Sequence, residues 1–463
     1  MRRAGTGVVI WVTAVAVGLG LGALPGAHAA APSSAVVAAP AAVDASAPAT
    51  VDRKKKKAKR DHYNPNPGLR FNEPYSRGGK KATNIRRHIL RSIDSTRKGD
   101  VIQMAAWNVR GRSWSNALIR AHKRGVAVQI IMDKVNWSRE HPNPEAAAVA
   151  KVLKGKEKAR AVQSWLRLCA GSCRGARGIP HSKFYLFSRV QDRKYVTMFG
   201  SNNATDVAAK DQWNDLYTWV NNKTIYDTFQ RVFNEMRLDK NQGNKGYVAA
   251  TFSPTQSVFF YPYKGAVPNQ VGDPDMARLN KIKCTGATGG AGYNGRTKIR
   301  IMQTAIHGDR GIRLAQKLVQ LKKAGCDIRI VYALMGNNVH DLLSKNKVQK
   351  LQLAYDRDRN GVYDIYLHLK SLAISGNYDG NTAARVVYNG SANWSSVPLA
   401  SDDVVGEFKD VAMTKAYIDW TDFLYKHRPG SWGPVNLAPI TSSVVEGRIA
   451  PVDPYAFMKE NGL

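Results

Sequence analysis

The sequence predicts an α/β protein made of two similar halves, each a mixed sheet flanked by helices. Apolar strand-like runs alternate with amphipathic helical runs along most of the chain. The same plan occurs twice, with a period near 190 residues. A His-x-Lys triplet followed by Gly-Ser-x-Asn stands at the equivalent place in both copies.

The N-terminus carries Arg2 and Arg3, an uncharged apolar stretch "GVVIWVTAVAVGLGLGAL" and the small-residue "GAHAA". These are the n-region, h-region and A-x-A site of an export signal over residues 1–29, which predicts a secreted protein. The h-region nearly reaches helix-spanning length, but its glycines and the A-H-A site favour cleavage over a retained anchor. Residues 30–61, rich in Ala, Pro and Ser and closing on "RKKKKAKR" (53–60), cannot pack a core and predict a disordered linker.

The first half, residues 62–243, begins with a helix over "NIRRHILRSI", where Ile85, Ile89 and Ile93 share a stripe. A strand "DVIQMAAW", a helix "SNALIRAHKRG" closed by Gly125 and a strand "VAVQIIMD" follow. The second half, residues 250–430, repeats this with "DMARLNKI", "TKIRIMQTAI", "GIRLAQKLVQLKKAG" closed by Gly325, and "DIRIVYAL". "HSKFYLFSRV" and "YVTMFGSNN" then match "HLKSLAISG" and "ARVVYNGSANW". Each half ends with an acidic strand ("DLYTWV"; "DVVGEF") and an amphipathic helix. One helix carries the stripe Ile225, Phe229, Val232, Phe233 and Met236, the other Met413, Tyr417, Trp420 and Leu424. "DKNQGNKG" marks a polar linker around 240–255, and residues 431–463 read as an irregular C-terminal extension.

Charge narrows the partners. The chain holds 69 basic and 35 acidic side chains, a formal +34. Without Arg2, Arg3 and the basic residues of 53–60 it is still +25, so the excess is spread through the folded part. Such a surface attracts nucleic acid, anionic headgroups or cell-wall polymers, or serves a cationic secreted protein with no specific partner. Export makes the four cysteines readable as disulfides, with Cys169–Cys173 and Cys284–Cys326 the expected pairs among three connectivities. A zinc site is the weaker reading, since one loose C-x3-C has no second knuckle.

The chemistry lies in the repeated residues. Among ten histidines only two open an H-x-K triplet, His181/Lys183 and His368/Lys370. Gly200-Ser201-Asn202-Asn203 follows the first and Gly390-Ser391-Ala392-Asn393 the second. On a strand, residues i and i+2 share a face, so each half would offer an imidazole beside an ammonium. Two such faces with Asn203 and Asn393 would surround a cavity suited to a tetrahedral anion whose charge grows on reaction. One imidazole can attack phosphorus, and the other can protonate the leaving alkoxide and then activate water. Lys183 and Lys370 supply the positive charge, so no metal or other cofactor is needed.

On these motifs the chain resembles the phospholipase D superfamily, whose signature is H-x-K-x4-D followed by G-S-x-N, once in each half of a pseudo-twofold active site. The resemblance covers about residues 65–430. It implies two phospholipase D-like domains and a phosphohistidine intermediate, with His181 and His368 as nucleophile and general acid/base. Lys183, Lys370, Asn203 and Asn393 would be phosphate ligands, with Ser201 and Ser391 in support. The family's acidic residue after G-S-x-N, which orients the opposing machinery through a histidine, is matched by Asp215 and Asp403, with Glu407 a weaker candidate. The motif aspartate four residues past each lysine is missing: Ser188 and Ser375 stand there.

The expected activity is therefore a phosphodiester hydrolase of the phospholipase D type acting on glycerophospholipids, working as a monomer. A nucleic-acid substrate is the alternative, and a cationic binding protein with a dead site the third. Trp107, Trp137, Trp213 and Trp394 lie near motifs and are expected mostly in the core. "DRDRNG" (356–361) copies half a calcium loop, but Leu367 stands where the bidentate glutamate belongs, so an Asx-rich turn is expected.

Overall fold

The computed structural model describes residues 60–432 apart from 77–78, 140, 156–162, 264–271 and 358–362, together with 444–445 and 448–449. The expected signal, the linker before Arg60, most of the C-terminal extension and most of the Asp-rich turn lie outside the described residues.

The mixed α/β architecture is present in both halves. In the first sheet the spatial order is Gly68–Phe71, Asp215–Trp219, Arg193–Gly200, Phe184–Val190, Val101–Ala105, Ala127–Asp133, Trp165–Cys169. The last three strands run parallel to one another and the other pairings are antiparallel. The second sheet repeats that order and those directions with Val404–Phe408, Asn381–Gly390, Lys370–Tyr378, Lys298–Ile306, Asp327–Met335 and Gln349–Gln352. Ala127–Asp133 is buried at every position, which explains why apolar residues on both of its faces outnumber the polar ones, Gln129 and Asp133. Gly125 and Gly325, with φ of 87° and 95°, follow the helices Arg112–Lys123 and Gly308–Lys323 in the left-handed conformation that ends them.

The two long amphipathic helices, Lys223–Leu238 and Val411–Lys426, begin alike. Asn222 accepts from Ile225 N at 3.0 Å, and Asp410 accepts from Met413 N at 2.7 Å. Their apolar stripes meet in one core drawn from both halves, where Phe184, Phe199, Phe229 and Phe233 pack with Phe260, Met302, Phe408 and Tyr417. At that seam Gly406 lies so near Phe199 that an added Cβ would stand 2.5 Å from its ring.

Several elements were not among those expected. The hairpin Val248–Ser253/Gln256–Phe260 extends the second sheet from inside the expected 240–255 linker, pairing with Val404–Phe408. Its outer strand is only partly buried, so its sequence shows no apolar run. Helices Pro144–Leu153 and Asn337–Lys345 were also unforeseen. A small sheet joins Ala354–Tyr355 and Ile365–Leu367 to Gln212–Trp213 of the first half. Both expected disulfides, Cys169–Cys173 and Cys284–Cys326, are formed.

Candidate active site

Each His-x-Lys triplet lies where one half of the chain touches the other. His181 and His368 are not on strands, as their spacing suggested, but in the links that lead into Phe184–Val190 and Lys370–Tyr378. Backbone bonds across the seam hold them there: His181 N donates to Asp402 O, and His368 N donates to Trp213 O, both at 2.9 Å. Each lysine turns back on its own triplet, with Lys183 Nζ 2.5 Å from His181 O and Lys370 Nζ 2.7 Å from His368 O.

The side chains cross the seam too. His181 Nδ1 lies 2.9 Å from Asp403 Oδ1, and His368 Nδ1 lies 2.8 Å from Asn214 Oδ1. Ser391 Oγ donates to Asp403 Oδ1 at 2.6 Å, and Ser201 Oγ donates to Asn214 Oδ1 at 3.0 Å. Gly200 and Gly390 allow this closeness: a Cβ there would stand 2.4 Å from Asp215 O and 2.0 Å from Val404 O. His181, Lys183, His368, Lys370, Asn203 and Asn393 are all 3 % exposed or less. The amide oxygens of Asn203 and Asn393 and Asp403 Oδ2 have no hydrogen-bond partner among the described residues.

Crowded cations in a buried place set the protonation states. Burial, followed by the charge of Lys183, holds His181 down to about 3 against the pull of Asp403. Burial, Lys370, Lys183 and His181 push His368 well below its usual value. Lys183 is lowered by burial and by Lys370, and burial brings Lys370 to about 7. Burial would raise Asp403, but His181 and Lys183 keep it below the ordinary carboxylate value. The cluster thus collects two histidines and two lysines within reach of one another's charge, with Asp403, Asp215 and Asp133 the carboxylates that act on the lysines.

One expected contact falls elsewhere. Asp215 does not meet a histidine: its carboxylate accepts from Ser201 N at 2.8 Å, Asn389 Nδ2 at 3.0 Å and Tyr417 OH at 2.5 Å. Asn214, one residue earlier, takes the place facing His368. Strand register is the reason. Leu216 pairs with Gly200 as Val405 pairs with Gly390, so Asn214 corresponds to Asp403 and Asp215 to Val404. Glu407 is also away from the histidines, accepting from Tyr388 OH at 2.6 Å.

Ser188 and Ser375 serve the sheets. Ser188 Oγ accepts from Val101 N at 2.8 Å, and Ser375 Oγ accepts from Gly292 N at 3.0 Å. Of the four tryptophans, Trp137, Trp213 and Trp394 belong to the large cores, and the Trp213 carbonyl is the one that holds His368. Trp107 is set apart in a small apolar cluster with Ile179 and Val397, edge-on to His181 with ring centres 6.2 Å apart. Its indole N–H donates to buried Asp133 at 3.1 Å, whose carboxyl is raised by burial to about 7.

A loop with no sequence-level functional signal supports Asp403 from behind. Closed by Cys169–Cys173, it sends Ser172 Oγ and Cys173 N to Asp402 Oδ2 at 2.9 and 2.5 Å. Buried Arg174 ties the loop to the carbonyls of Gly246 and Tyr261.

Residues 89–237 match the family described as "Cardiolipin synthase, PLD-like domain". No curated protein matches the sequence. Among solved structures, phosphatidylserine synthase of Haemophilus influenzae Rd KW20 is similar at 11% identity and a TM-score of 0.50, over 78% of this chain and 86% of that one. Polyphosphate kinase of Porphyromonas gingivalis is similar at 13% identity and a TM-score of 0.47, over 77% of this chain, which spans 50% of that protein. Nuc of Salmonella typhimurium, a phospholipase D family member, aligns with 37% of this chain and 94% of its own at 21% identity and a TM-score of 0.28. At these identities the likeness to solved structures is one of fold.

Proposed function

We propose that this chain, a phospholipase D superfamily member by its PLD-like domain and its fold, is a secreted phosphodiesterase that hydrolyses glycerophospholipids on the headgroup side. One observation carries the reading: two buried His-x-Lys pairs, each imidazole fixed through Nδ1 by a residue of the opposite half. With Nδ1 so engaged, Nε2 is the reacting nitrogen of either ring. His181 Nε2 attacks phosphorus, the P–O bond to the headgroup breaks, and the departing oxygen takes a proton from His368 Nε2. Water then gives a proton to His368, its oxygen attacks phosphorus, and the P–Nε2 bond breaks to release phosphatidic acid.

His181 is the better nucleophile of the two because Asp403 offsets the positive charge of a phosphorylated ring. Lys183 and Lys370 regain full charge when a phosphodiester anion enters, which supplies the positive field without a metal ion. Buried Asn203 and Asn393 complete the ligand set, since the N–H groups of their amides can donate to the phosphate oxygens.

The apolar Trp107–Ile179–Val397 cluster beside His181 favours a lipid over a wholly polar substrate. The formal charge favours the second reading, a nuclease, since +25 remains without the terminal basic residues. Both disulfides are compatible with an extracellular site of action. Among the described residues no helix is long and apolar enough to cross a membrane.

The test is turnover by mature protein in the presence of a chelator, offered phosphatidylcholine, cardiolipin and plasmid DNA. Choline or phosphatidic acid release should fall at least a thousandfold in both His181→Ala and His368→Ala. Nicked plasmid with intact lipid would sink the lipase reading, and activity surviving in both variants would sink the two-histidine mechanism.

A further inference from the structure

The two histidines are not equivalently partnered: a carboxylate faces one and an amide the other. Asn214 is 0 % exposed, and its orientation is fixed by its surroundings. Its Nδ2 donates to Ala208 O at 3.0 Å, with the Gln212 carbonyl at 3.5 Å, so the amide nitrogen must point that way. Oδ1 is thereby turned to Ser201 Oγ and His368 Nδ1. An acceptor oxygen 2.8 Å from Nδ1 requires the hydrogen to be on the imidazole.

We propose that Asn214 is a positioning residue: it holds His368 in its Nδ1–H form without lending it negative charge, making His368 the stronger acid and weaker base of the pair. This rests on the phosphodiesterase reading and adds a division of labour to it. The groups facing His368 are Lys370 of its own triplet, Lys183 and His181 from the first half, and Tyr366, edge-on with ring centres 6.1 Å apart. The Ser201 backbone favours the charged ring, but less than burial and the three neighbouring bases oppose it. Asp403, the counterpart of Asn214, bonds through Oδ1 to His181 and Ser391 and not to His368. An imidazolium at His368 therefore has neutral acceptors and cationic neighbours, and gives up its Nε2 proton readily to a departing alkoxide. The same feature makes it slow to reclaim a proton from water, so activity should be confined to the acidic side of neutrality.

The test reads His368 directly. In protein carrying 15N-labelled histidine, His368 should show a protonated Nδ1 and a bare Nε2 while neutral, and should titrate below pH 6.5. In Asn214→Asp that titration should move up by about one pH unit, a tenfold gain in proton affinity. The alkaline limb of kcat/KM, which reports the free enzyme, should move by the same amount. A neutral His368 protonated at Nε2, or a titration and limb unmoved in the variant, would overturn the proposal. The wild-type tautomer needs no variant, so it decides the point even if a carboxylate against Ala208 O unfolds the chain. A wild type that turns over no phosphodiester would remove the phosphodiesterase reading alone, because the titration is measured without substrate.

Discussion

At the scale of single residues, the most informative positions are those where the motif is broken. Ser188 and Ser375 replace the aspartates of the phospholipase D signature, yet both hydroxyls accept from backbone N–H groups of neighbouring segments. Ser188→Ala would leave the amide of Val101 without that acceptor, an unmet donor worth about 1–3 kcal/mol. The expected outcome is a lower urea midpoint with kcat unchanged, checked by denaturation and turnover on the same sample. A fall in kcat at unchanged stability would instead tie Ser188 to the chemistry. The two H-x-K pairs and two G-S-x-N turns were legible in the sequence because each appears twice. Asn214 was not: "WND" and "SDD" both offer an aspartate, and a one-residue offset of strand register separates the right position from its neighbour. Counting from Ser201 and Ser391 hides the shift further, since Asn214 is thirteen residues on and Asp403 twelve.

Among the elements, the disulfide loop that follows Trp165–Cys169 has the clearest functional reach. Its Ser172 and Cys173 bind the Asp402 carboxylate, which burial raises to about 7, and the next residue is Asp403. The Asp402 carbonyl also receives His181 N and Ser182 Oγ. Ser172→Ala should therefore lower kcat severalfold with KM little changed, because it loosens the support of His181 and removes no substrate contact. Turnover before and after mild reduction should show the same pattern if the loop depends on its disulfide. Strands and long helices were readable from period and glycine stops, as Gly125 and Gly325 illustrate. The Val248–Ser253 hairpin strand was not, since its exposure comes from lying at a sheet edge, which only the assembled fold defines.

For the whole molecule, the seam between halves is both core and candidate active site. Gly406→Val would force a side chain into Phe199 and should destabilise by about 1–3 kcal/mol as an overpacked core position. A lower unfolding midpoint, with loss of activity at temperatures where the wild type is stable, is the expected result. Acid acts on the whole molecule as well. Burial holds the His88 imidazole down to about 3, between Tyr63 OH at 2.7 Å and Thr218 Oγ1 at 3.0 Å. Its unfolded value is near 6.5, so as pH falls below that the unfolded chain binds a proton that the folded one refuses, and stability is lost. Asp133 and Asp402, both raised to about 7, work in the opposite sense between about 4 and 7. His88→Gln isolates the first effect: between pH 6.5 and 4.5 the variant should lose less stability than the wild type, and equal losses would refute it.

The crossed partnership of the histidines also bears on how the protein is made. His181 waits for Asp403, which leaves the ribosome 222 residues later, and His368 can be seated only on a first half already folded around Trp213. Nascent or clipped chains thus hold His181 and His368 without their alignment. The order of synthesis delays that alignment until the second half closes on the first.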